Sequence, residues 1–202
     1  IKLDSRSKNG MKAVNAAILE ACKEKIERDR KRGIINRPVR AMVAGIPNVG
    51  KSTFINSFAG KSCAKTGNKP GVTKGKQWIR LNKNVELLDT PGVLWPKFED
   101  QTVGEHLAFT GAVKDRILDV ELLSMRLIEC LSANYPELLT TRYGELDFSL
   151  DSYDLLCLIG KKRGMVIRGG ETDTERAANM LLEEYRNCKI GFITLERAES
   201  NA

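Results

Sequence analysis

Apolar residues between Gly10 and Arg32 recur at helical spacing. Met11, Val14, Ile18, Ala21, Cys22 and Ile26 share one stripe, which predicts a single helix stopped by Gly33. The pattern then changes. Residues 39–44 form a short apolar-rich run of strand length, 45–50 a loop, and 51–59 a helix ended by Gly60. Residues 61–76 have no periodicity and are rich in Gly, Lys, Thr and Pro, so they read as a loop. Residues 77–81 and 85–88 read as two strands joined by a polar turn at Asn82, Lys83 and Asn84, followed by a loop over 89–95.

A helical pattern resumes at 101–112, and the composition shifts near 114–119. Beyond it, glycine-rich loops thin out and helices dominate. Asp119 is placed to cap a helix over 120–131, Pro136 opens a short helix ending near Gly144, and two more follow at 151–159 and 173–185. The expected fold is α/β over residues 1–118, a sheet flanked by helices, followed by a small all-α domain over 119–202.

Charge adds a partner class. Residues 1–83 carry 20 Lys/Arg against five Asp/Glu, net +15, whereas 84–202 are net −8. An excess this large over half a chain points to a polyanion. Lys161, Lys162, Arg163 and Arg168 form a second basic cluster, open to two readings: an RNA contact or a solvated helix end. No apolar run approaches the ~18 residues of a membrane span, and the first thirty residues lack the apolar core of a signal peptide. The five cysteines form no CxxC pair and read as reduced thiols. The expectation is a cytoplasmic monomer. Ile1 is not an initiator methionine, which suggests a portion of a longer chain whose N-terminal part is missing.

The chemistry sits in the loops. Gly45-Ile46-Pro47-Asn48-Val49-Gly50-Lys51-Ser52 matches G-x-x-x-x-G-K-[ST]. Glycines let the backbone curl so that successive N–H groups face phosphate oxygens, and the helix that follows adds its free N–H groups and dipole. The backbone of Asn48, Val49, Gly50, Lys51, Ser52 and Thr53 is therefore the expected phosphate cradle, with Lys51 as point charge and the Ser52 hydroxyl on Mg²⁺. Asp89-Thr90-Pro91-Gly92 follows an apolar strand, where a second carboxylate for Mg²⁺ belongs. Asp89 would hold the ion through a water, and the Gly92 N–H would meet the γ-phosphate. Thr73, between the two motifs, is the candidate switch threonine on Mg²⁺.

Three stretches together resemble the ribosome biogenesis GTPase A family (RbgA, also called YlqF). They are Gly45–Ser52, Lys65-Thr-Gly-Asn-Lys-Pro-Gly-Val-Thr73, and Leu87-Leu-Asp-Thr-Pro-Gly-Val-Leu-Trp-Pro-Lys-Phe-Glu99. The resemblance implies a circularly permuted GTPase whose base-reading motifs precede the phosphate loop. It also implies GTP and GDP as ligands, and the large ribosomal subunit and its rRNA as partners, with the helical domain over 119–202 as the RNA-binding part. No N-K-x-D occurs in residues 1–202, while Ser5-Arg6-Ser7-Lys8-Asn9-Gly10 is similar to the family's fifth motif, which would set Ser5 and the Arg6 N–H by the base. Asn48 resembles the asparagine that places K⁺ in cation-dependent GTPases.

The catalytic group is not identified. Val93 follows Gly92, where Ras-like enzymes carry the glutamine that orients the attacking water, and valine cannot do so. His106, the single histidine, reads mainly as a surface or packing residue. The expected activity is hydrolysis of GTP in late large-subunit assembly. A P-loop ATPase and an RNA-binding module switched by nucleotide are the alternatives.

Overall fold

The computed structural model describes residues 1–35, 37–64, 75–81, 84–94, 97–113 and 119–196. Thr73, most of the 61–76 loop, and Trp95 and Pro96 lie outside them. The chain divides into two compact units, 1–96 and 97–202.

In the first unit, the stripe expected as one helix forms two, α1 (Met11–Ala21) and α2 (Lys23–Lys31). The break is at Cys22, with φ −105° and ψ 8°, whose N–H is shared between the Ile18 and Leu19 carbonyls. Such sharing tightens the last turn of α1 and ends it. Strands β1 (Val39–Val43), β2 (Gln77–Arg80) and β3 (Val85–Asp89) form a sheet in the order β1-β3-β2, with β3 parallel to β1 and antiparallel to β2. Helix α3 (Lys51–Ala59) starts directly after the phosphate loop.

Side chains alternate across a strand, and here only one face is covered among the described residues. On that face Val39, Val85, Leu87 and Ile79 pack with Ile55 of α3 and Ile18 of α1. On the other, Met42 and Trp78 stay open and Arg40 stacks on Trp78 at 4.8 Å. The apolar run at 39–44 is thus buried on one side.

The second unit holds α4 (Gln101–Phe109), α5 (Val120–Asn134), α6 (Pro136–Tyr143), α7 (Ser152–Lys162) and α8 (Thr174–Arg186). The division between the units precedes the boundary expected at 118/119. The physical reason is burial: Ala108 and Phe109 of α4 belong to the core built by Leu127, Ile128, Leu156 and Leu181. Asp100, Asp119, Asp151 and Asp173 each accept a backbone N–H at the start of a helix, a cap worth ~1 kcal/mol. Glu184 on α8 is buried and takes bonds from Arg142, Tyr143 and Arg163, tying α6 and the end of α7 to α8.

Candidate nucleotide site

The register of β1 and β3 builds the site. Val43 pairs with Asp89 at the C-terminal ends of two parallel strands, so the loops that follow them leave the sheet side by side. That edge is where open α/β sheets bind ligands. The Thr90 hydroxyl ties the two exits together, donating to the Val43 carbonyl at 2.7 Å.

In the phosphate loop Asn48 (φ 60°) and Gly50 (φ 87°) are both left-handed. Asparagine is among the few non-glycine residues that tolerate this region. Gly50 precedes α3, and no side chain caps that helix. An uncapped N-terminus turns unpaired N–H groups and a positive partial charge toward whatever occupies the loop. Lys51 reaches back across the loop, and its Nζ donates to the Ile46 carbonyl at 2.8 Å.

Asp89 is 2 % exposed. The Ser52 hydroxyl and the Thr90 N–H donate to its carboxylate, yet Oδ1 has no partner among the described residues. Burial raises the Asp89 pKa, and Lys51 pulls it back. Burial lowers the Lys51 pKa, and Asp89 opposes that. A buried carboxylate with an orphaned oxygen beside a hydroxyl and an ammonium fits a hard cation with oxygen ligands next to phosphate.

Gly92 lies against Pro47, so the D-T-P-G loop and the phosphate loop touch. Val93 beside it is 72 % exposed. Sequence reading missed both the Pro47–Gly92 contact and the Thr90–Val43 bond; the only local signal was a proline inside the phosphate loop.

Other expected positions fare differently. In the 4–10 turn, Asp4 Oδ1 accepts the Arg6 N–H at 2.9 Å, so that N–H is not offered to a base in this conformation. Ser5 is half-buried there. His106 faces Glu196, 2.9 Å away, within the second unit and packs near Phe109. The second basic cluster is split. Arg163 pairs with Glu184 and stacks on Tyr143, and Lys162 donates to the Glu145 carbonyl, which leaves Lys161 and Arg168 facing solvent.

A phosphate loop between a strand and a helix, with a buried aspartate on the neighbouring parallel strand, defines the nucleotide site of a P-loop nucleoside triphosphatase. A family described as "50S ribosome-binding GTPase" matches residues 40–139. The chain is 45 % identical over 197 residues to ribosome biogenesis GTPase A of Priestia megaterium, covering 97 % of this chain and 68 % of the relative. It is 42 % identical to the Bacillus pumilus protein of the same name, covering 99 % of this chain and 71 % of the relative. The GDP-bound structure of TM YlqF superposes with a TM-score of 0.58 at 28 % identity, over 84 % of this chain and 65 % of that one. The GNP-bound YlqF of T. maritima gives 0.53, also at 28 % identity, over 84 % and 64 %. The chain belongs to the ribosome biogenesis GTPase A family, and it spans about two thirds of the length of the relatives it matches.

Proposed function

We propose that this protein hydrolyses GTP to GDP and phosphate and couples that step to late assembly of the large ribosomal subunit. The observation that carries the reading is the meeting of Ser52, Lys51 and the orphaned Asp89 oxygen at one strand edge. Its ribosomal half comes from the family. The phosphates lie on the backbone of residues 48–53 with Lys51 as counter-charge. Ser52 and Asp89 would hold Mg²⁺, which when bound neutralises phosphate charge; Thr73 is assigned to the same ion by sequence. Asn48, at the exposed crown of the loop, would help place K⁺. Gly92 offers its N–H where the γ-phosphate ends, and Pro47 fixes how near it comes.

The same reading takes the fold as circularly permuted. Ser5 and Arg6 then border the base, and the Arg6 N–H must leave Asp4 to reach it. The second unit is an all-α domain that meets rRNA, and the protein acts as a cytoplasmic monomer. No described helix is long and apolar enough to cross a membrane.

Val93 favours slow turnover by the protein alone, because nothing at that position orients water. Single-turnover hydrolysis with and without purified large subunits tests the proposal. The expected result is slow hydrolysis alone and a marked rise with subunits. Base selectivity should be poor in residues 1–202, which carry no N-K-x-D, and GTP should outcompete ATP once that motif is included. Equal competition with the motif present would identify a P-loop ATPase instead, and binding without hydrolysis under both conditions would leave a nucleotide-switched RNA-binding module.

A further inference from the structure

The α1–α2 pair and the link into β1 enclose a cleft of about 310 Å³. None of its lining residues belongs to the phosphate loop. It opens at the start of β1, beside Val39, whereas the phosphate loop leaves the other end of that strand, roughly 13 Å away at ~3.3 Å per residue.

Helical periodicity sorts the charges. On α2, Ile26 and Asp29 face inward and Lys25 and Arg30 flank them, while Glu24 and Glu27 fall on the outer side. The rim therefore carries Lys25, Arg30 and Arg37, and neither Lys25 nor Arg30 pairs with a carboxylate among the described residues. Ile26 and Leu19 give the floor its apolar part, and Ile34 and Ile35 stand beside it, with Ile35 76 % exposed. Asp29, 9 % exposed, sits at the base 4.0 Å from Arg37.

We propose that this cleft binds an unstacked nucleotide of single-stranded RNA. The phosphates would lie on Lys25, Arg30 and Arg37, and the base against Ile26, Ile34 and Ile35. The proposal rests on the reading of ribosomal RNA as a partner and gives it a place in the first unit. Lys25, Arg30 and Arg37 beside Ile26, Ile34 and Ile35 match the charged and apolar halves of a nucleotide, and single-stranded RNA, unlike a duplex, has unstacked bases free to enter a cleft. The carboxylate at the base could accept N–H donors from a base edge, a pairing open to a nucleobase.

The test uses the full chain and a fluorescent single-stranded RNA, with the duplex of the same sequence and inorganic polyphosphate as competitors. Ile35→Ser should weaken single-strand binding by roughly tenfold without changing its salt dependence, since it removes apolar contact only. Lys25→Gln and Arg30→Gln should each reduce the slope of log K against log salt by about one. The duplex and polyphosphate should compete poorly. Wild-type affinity in all three variants, or polyphosphate competing as well as RNA, would overturn the cleft. GDP affinity, measured on the same proteins, should stay at the wild-type value. Its loss in Lys51→Ala tests the nucleotide site independently, so the two readings fail separately.

Discussion

Gly92 rests on Pro47: a Cβ built on Gly92 would lie 2.5 Å from the Pro47 Cα and nitrogen and 2.9 Å from its Cγ. Gly92 is not among the glycines with positive φ, so a neighbour rather than its own backbone excludes a side chain there. Gly92→Ala should push the D-T-P-G loop off the phosphate loop. A displacement of about 1 Å can cost about 100-fold in rate, and hydrolysis should fall by that order while GDP affinity changes little. Pro47→Gly frees a backbone angle that the ring locks and should restore part of the loss in the double variant. Single-turnover rates of the three proteins decide it, and a Gly92→Ala enzyme at wild-type rate would remove the contact from the mechanism.

Lys51 is held over the loop by the Ile46 carbonyl and faces the Asp89 charge. Lys51→Ala removes a charged phosphate contact and should weaken GDP and GTP by at least about 2 kcal/mol, about 30-fold. Calorimetry that returns near-normal affinity would sink the phosphate-loop assignment.

Asn48 stands exposed in a left-handed conformation beside Pro47. If it places a monovalent cation, hydrolysis should run faster in K⁺ than in Na⁺, and Asn48→Ala should abolish the difference. K⁺ there would neutralise charge that develops in the transition state. Equal wild-type rates in the two salts count against this role.

Glu184 ties the helical unit together and predicts its acid sensitivity. The Arg142 bond, with Tyr143 and Arg163, holds its carboxyl below the ordinary glutamate value against the opposing effect of burial. A lowered folded pKa contributes stability above the unfolded value, about 4.3, which is lost as pH falls through the folded value. Glu184→Gln should cost about 2 kcal/mol at neutral pH. The gap to wild type should close as pH drops below about 4.3. Thermal unfolding followed across pH measures this, and a pH-independent gap would show that the bonds matter through packing alone.

The local signals were legible from residues 1–202 alone. The phosphate loop, the D-T-P-G turn, the helix start at Lys51 and the capping role of Asp119 each depend on neighbours within a few positions, and backbone geometry reads such patterns directly. Charge along the chain also showed which half is cationic, but not which cations are free. Arg163 looked like part of a basic cluster until Glu184, 21 residues away, claimed it.

Tertiary structure decided the rest, because those features depend on pairs distant in sequence. Parallel registry of Val43 with Asp89 brings Ser52 to a buried carboxylate and Gly92 onto Pro47. No periodicity encodes that distance. The division before α4 was hidden for the same reason. Composition changes after residue 113, but Phe109 is buried by α5 and α8 partners that the local pattern around it does not contain.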